Sequence, residues 1–269
     1  MPQPLPPVAL TIAGSDCSAG AGLQADLKTF SALHVYGLTV VTCLVSEVPG
    51  KVSRIQSADP GMVRDQLQLL LGAFPVRALK TGMLYSTAII EQVAEVLEAL
   101  PAGDRPQLVV DPVMVATSGD RLLLADAVAA YETRLFPLAT VITPNLDEAA
   151  VLLGHAVADE SELAPAAAAL HARYGCSVLL KGGHLRGAEA VDCLHERAAA
   201  SPQFFRAPFI PGVSTHGTGC TYAAAITSRL AQGDSLSAAV VQAKAYVTEA
   251  IRTSFRWSGV QALNHFLPS

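Results

Sequence analysis

No stretch of this chain gathers lysine or arginine, and 18 basic residues against 23 acidic ones leave a formal charge of −5. Without a positive field to meet a phosphate backbone, nucleic acid is not an expected partner. No apolar segment reaches the length of a membrane span. The N-terminal MPQPLPPVALTIAG lacks a positive leading region, and its apolar stretch is short and broken by proline, so the reading is a soluble, cytoplasmic protein. The five cysteines, Cys17, Cys43, Cys176, Cys193 and Cys220, show neither CxxC nor His/Cys ligand spacing, which suits reduced thiols and argues against structural zinc. Nothing inside the 269 residues resembles a linker, so one domain over 1–269 is expected.

Core-forming material, by contrast, is plentiful: hydrophobic residues make up 51% of the chain and charged ones 15%. Strands are expected at Val8–Ala13, Leu38–Val45, Ala78–Thr81, Leu108–Val113, Thr140–Thr143 and Ser177–Leu180. Ala190–Leu194 is expected to pair back through the Gly182–Gly187 turn. Between them lie amphipathic helices. Leu23, Leu27, Phe30 and His34 share one face; Met62, Val63, Leu67 and Leu70 follow an Asp59-Pro60 start; Ile89, Val93, Val96 and Leu100 follow Ser86; a last helix runs from Leu236 to about Ser254. Continuous apolar strands separated by helices predict an α/β fold with a mostly parallel sheet covered on both faces, and ligands on such sheets bind at the carboxyl ends of the strands.

Each chemically suggestive motif follows a strand. Gly217-Thr218-Gly219-Cys220 opens a helix, where glycines admit close approach of a ligand and unpaired N–H groups can surround a phosphate. Cys220 at that helix start is either a thiol of lowered pKa that accepts a proton or a small packing residue. Gly20-Ala21-Gly22-Leu23-Gln24-Ala25 fits a dinucleotide fingerprint, but several residues separate Ala13 from Gly20. A glycine-rich loop lining a small-substrate pocket fits better, with Asp26 reaching a ligand polar group. Asp111 ends a buried strand, and Asn145 and Glu148 share a helix face; these hard oxygens suit Mg²⁺ carrying a nucleotide, although each taken singly reads as a cap or surface acid. Lys181, at a strand end, reads as a point charge for a nucleotide phosphate or as a solvated lysine. His184 and His216 receive no role.

Taken in order, GSDCSAGAGLQADLKTF, KTGML at 80–84, VVDPVM, TPNLDEA, LLKGGH and STHGTGC resemble the hydroxymethylpyrimidine/phosphomethylpyrimidine kinases of thiamine biosynthesis, which are related to pyridoxal kinases. The resemblance runs from about Ala9 to Ile251. It implies a ribokinase-like three-layer α/β/α sandwich, a homodimer, and ATP- and Mg²⁺-dependent phosphorylation of 4-amino-5-hydroxymethyl-2-methylpyrimidine and then of its monophosphate. By that likeness Cys220 is the catalytic cysteine and Gly217, Thr218 and Gly219 form the anion hole. Gly14, Ala21, Asp26, Met83 and Val113 line the pyrimidine pocket, and Asp111, Asn145, Glu148 and Lys181 lie on the nucleotide and metal side. Two departures stand out. Glu47 replaces the family's glutamine facing the aminopyrimidine, and Arg256-Trp257-Ser258-Gly259-Val260 lacks the usual glycine/histidine segment. A kinase for pyridoxal or another pyrimidine, and a binding module without catalysis, are the alternative readings.

Overall fold

The computed structural model describes residues 5–114, 125–183, 185, 187–213 and 216–267, so His184 lies outside the described residues. In chain order the elements are β1 (Val8–Asp16), α1 (Gly22–Ala32), β2 (Tyr36–Val48), β3 (Lys51–Ser57), α2 (Pro60–Ala73), β4 (Val76–Thr81), α3 (Thr87–Glu98), β5 (Gln107–Val110), α4 (Ala125–Ala130), β6 (Val141–Ile142), α5 (Leu146–Leu153), α6 (Leu163–Tyr174), β7 (Ser177–Gly182), β8 (Glu189–His195), β9 (Gln203–Pro208), α7 (Thr218–Gln232), α8 (Leu236–Arg252), β10 (Phe255–Trp257) and β11 (Val260–Ala262).

Nine strands form one sheet in the order β3-β2-β1-β4-β5-β6-β7-β8-β9. The six central strands run parallel, and β3, β8 and β9 add antiparallel edges. The β7–β8 pairing is the one the glycine turn predicts. Alternation along β1 shows how the sheet is covered. Val8, Leu10 and Ile12 pack with α2, α3, α5 and α6, whereas Ala9 packs with Phe30 of α1 and with α7 and α8. Helices on both faces give the three layers that the resemblance implies. β1 pairs with β2 on one side and β4 on the other, so the strand order reverses there and a crevice opens at the carboxyl edge.

Three sequence expectations change. α1 stops at Ala32, and His34 sits beyond it, exposed, at φ 57, off the face it was expected to share. Met62, in the first turn of α2, is 57% exposed, while Val63 and Leu67 carry the buried stripe. β5 ends at Val110, short of the expected Val113, because Pro112 has no N–H to continue a ladder.

Candidate active site

The carboxyl ends of the parallel strands and the start of α7 enclose a cleft of about 500 Å³. Of the residues singled out from sequence, Gly14, Ala21, Glu47, Met83, Val113, Asp111, Asn145, Glu148, Lys181, Gly217, Thr218, Gly219 and Cys220 all line it.

The local backbone explains why glycine occupies two of these positions. Gly217 caps α7 at φ 81, and a Cβ there would stand 1.8 Å from the Gly20 carbonyl oxygen, so the two glycine turns touch. A Cβ on Gly219 would lie 3.4 Å from Lys181 Nζ and 3.5 Å from Asp111 Oδ2, filling the space between turn and charges. Thr218 Oγ1 is buried with no hydrogen-bond partner among the described residues, a donor awaiting an acceptor at the mouth of a helix N-terminus. Val113 holds φ 46, strained for a β-branched residue and of the kind concentrated at ligand sites.

On the opposite wall, Lys181 Nζ donates to Asp111 Oδ1 at 2.9 Å, and Thr143 Oγ1 donates to the same oxygen at 3.1 Å. Burial works against ionisation of Asp111, but Lys181 and Lys80 overcome it and hold the carboxyl below its ordinary value. Asn145 and Glu148 form a reciprocal capping box at the start of α5. Each side chain accepts the other's backbone N–H, at 2.9 and 2.8 Å, and Glu148 also accepts from Met114 N–H. Glu148 is nevertheless pushed up to about 7 by burial, with the Asp111 charge adding to the effect against the pull of Lys181. Two buried carboxylates raising one another's cost of ionisation are hard oxygen donors that fit a divalent cation. Asp111 Oδ2 accepts no hydrogen bond among the described residues and faces Gly219.

Two site expectations are corrected. Asp26 does not reach the cleft. It is fully buried under the floor, its carboxylate gripped by Lys80 Nζ at 2.8 and 2.9 Å and by Thr11 Oγ1 at 2.6 Å. The Cys220 thiol is not lowered by its helix start. Burial pushes it up to about 11, against Lys80 and the Gly22 N–H and with Asp26 and Asp111 adding to the rise, so desolvation outweighs the groups that favour the thiolate.

Sequence reasoning passed over Asp16 and left His216 without a role. Asp16 accepts from Ser18 N–H and Oγ, from the Gly20 and Ala21 N–H groups, and from His216 Nε2 at 3.2 Å. Burial opposes its charge, yet His216, Ser18 and Ala21 together hold it at about 2. The Asp-x-Ser spacing in GSDCS signals such a turn; the pairing with His216, 200 residues away, has no local signal. Lys244 also lines the cleft, paired to Asp192 at 2.6 Å.

The phosphomethylpyrimidine kinase family model matches residues 16–263. The chain is 45% identical over 258 residues to the hydroxymethylpyrimidine/phosphomethylpyrimidine kinase of Streptomyces coelicolor, covering 96% of this chain and 93% of that one. It is 46% identical over 243 residues to the thiamine biosynthesis bifunctional protein ThiED of Geobacter sulfurreducens, where the match takes in 90% of this chain and about half, 49%, of the relative. Among solved structures, the ADP complex of Bacillus subtilis pyridoxal kinase superposes with a TM-score of 0.87 at 37% identity, covering 97% and 98% of the two chains. The chain belongs to the phosphomethylpyrimidine kinase family.

Proposed function

We propose that the protein transfers the terminal phosphoryl group of ATP to the hydroxymethyl of 4-amino-5-hydroxymethyl-2-methylpyrimidine, and then to the resulting monophosphate. The observation that carries this reading is the meeting, in one cleft, of a glycine anion hole with an unpartnered Thr218 hydroxyl, Cys220 beside it, and Lys181 with two carboxylates opposite. Phosphoryl transfer asks chiefly for positioning and charge neutralisation, and these parts supply both.

In this reading the apolar and glycine surface of Gly14, Ala21, Met83 and Val113 seats the ring. The α7 N–H groups at 218–220 hold the transferring group, and Lys181 neutralises its charge. Cys220 Sγ takes the hydroxyl proton, which leaves late in a loose transition state; because burial raises the thiol, it acts through the small fraction that has already released its own proton to solvent. Asp111 and Glu148 would hold Mg²⁺, which bound with the nucleotide supplies further neutralisation of phosphate charge. We also propose a cytoplasmic homodimer, in which the exposed Leu44, Val48 and Val52 of β2 and β3 form the contact; sedimentation would test it.

A second reading, phosphorylation of pyridoxal, is favoured by the likeness to the Bacillus subtilis enzyme and by the carboxylate of Glu47 in the ring pocket. Coupled ADP release with each ring, together with product mass, decides. ADP formed with the pyrimidine, and a product gaining one and then two phosphates, supports the first reading. Turnover with pyridoxal alone supports the second, and no ADP with either ring leaves a binding module.

A further inference from the structure

Among the ionisable groups of the cleft that the phosphoryl-transfer reading does not use, Glu47 stands beside the pocket given to the ring. Adjacent buried Thr42 and Cys43 reverse the phase of β2, and from there alternation aims Glu47 inward: Cys43 and Val45 are buried, Leu44 and Ser46 are exposed, and Glu47 joins the cleft wall beside Gly14, Ala21, Met83 and Val113, with its neighbour Val48 at the rim. Its backbone is fastened to the turn after β1, where Cys17 Sγ lies 3.2 Å from its carbonyl oxygen and 3.3 Å from its N–H. Its carboxylate accepts no hydrogen bond among the described residues, although it is half-buried. Asp16 and His216 lie close, all three offering a ligand atom within 4.8 Å of the others. They do not make a cation site, because Asp16 already receives five donors, four from its own turn and one from His216. What remains is an acceptor-only carboxylate facing the cleft.

We propose that Glu47 determines ring specificity by binding a heterocycle edge with two donors, an exocyclic amino group and an adjacent ring nitrogen, sharing with that nitrogen one proton taken up from solvent. This rests on the kinase reading above and names the form of the ring that is bound. A neutral aminopyrimidine edge offers one donor and one acceptor, so against a carboxylate the ring-nitrogen contact is repulsive until a proton enters it. The surroundings favour that uptake. Burial and the Asp16 charge raise Glu47 above the usual carboxylate range, with His216 opposing. Among the described residues, the other charged or titratable groups near it are Cys17 on the turn, Cys43 on its own strand and Lys51 on β3, while Arg54 pairs with outward-facing Ser46. His216, held by Asp16, acts as a positioning residue that keeps the two carboxylates compatible.

The test is calorimetric titration of the hydroxymethylpyrimidine into wild type and Glu47→Gln, in buffers of different ionisation enthalpy and across neutral to alkaline pH. Because no described residue depends on the Glu47 carboxylate for a hydrogen bond, the isosteric amide keeps the fold. Wild type should take up about one proton, and its Kd should rise about tenfold per pH unit once the free ring and Glu47 are both deprotonated. Glu47→Gln should take up none, show a flat profile, and exceed wild-type affinity at alkaline pH by about one to two decades. Equal proton counts and parallel pH profiles, with the pyrimidine still phosphorylated, overturn this inference alone. If neither protein binds or phosphorylates the pyrimidine, the substrate reading fails and the inference goes with it.

Discussion

Two lysine–aspartate pairs at the carboxyl edge of the sheet are built from the same parts and end in different roles. Lys80 is the penultimate residue of β4 and Lys181 the penultimate residue of β7, and each is followed closely by glycine. Each aspartate accepts from one lysine and one threonine: Asp26 from Lys80 and Thr11, Asp111 from Lys181 and Thr143. The difference is what is left over. Asp26 spends both oxygens on Lys80 with no exposure at all, whereas Asp111 keeps Oδ2 toward Gly219 and Lys181 stays 14% exposed to the cleft. α1 lies over the first pair and seals it; the mouth of α7 stands over the second and leaves it open. A carboxylate with a lone pair facing a cavity can serve a ligand, and one with none serves the fold.

Cys220 sits between the two pairs, sensing Lys80 and both aspartates, and its removal should have the largest effect. Cys220→Ala is expected to lower kcat by about 10²–10⁴-fold with ATP affinity little changed, as for a lost proton acceptor. Steady-state kinetics with fluorescence titration of nucleotide checks both halves. Near-normal turnover would reduce the thiol to a packing residue.

Exchanging the lysines for methionine separates the pairs directly. Lys80→Met leaves a buried carboxylate without its cation, and urea unfolding should show a loss of about 3–5 kcal/mol, recovered when Asp26→Leu is added. Lys181→Met keeps most of the stem's packing and leaves Asp111 the Thr143 hydroxyl and the nearby Lys80 charge, so the midpoint should fall less than in Lys80→Met while kcat falls by about 10²–10³-fold. If instead the Lys80 variant is stable and inactive while the Lys181 variant unfolds, the assignment of closed and open pairs is reversed.

The parallel sheet, most of its strands and the glycine turns were legible because apolar runs and left-handed turns leave marks within a few residues. β3 and β9 left none: they are edge strands, largely exposed, and neither KVSRIQS nor QFFRAP keeps a regular polar/apolar alternation or a buried apolar run. For the site, strand-end position brought Asp111 and Lys181 into view, and the glycine turn before a helix brought Cys220, but strand-end position could not separate Lys181 from Lys80. Asp26 misled for a related reason. It follows the glycine loop in sequence, yet its place in α1 turns it inward beneath the loop, onto Lys80. The Asp16–His216 pair depends on β1 and the α7 turn meeting in space, which no spacing rule contains.

Cys220 shows the same limit as a question of sign. A helix start argues for a lowered thiol pKa, and burial argues for a raised one; in the structure burial exceeds the pull of Lys80 and of the Gly22 N–H, and the thiol stands at about 11. Since the thiolate is the nucleophile, the alkylation rate follows its fraction. At neutral pH iodoacetamide should label exposed Cys17 well before Cys220, as peptide mass spectrometry would show. The Cys220 rate should still climb beyond pH 9, where an ordinary cysteine of pKa about 8.5 levels off. Access slows both arms of that curve equally, so its shape reports the ionisation and not the enclosure. A plateau at or below neutrality would mean that the α7 terminus and Lys80 outweigh desolvation, and the thiol would then stand ready as thiolate before any substrate arrives.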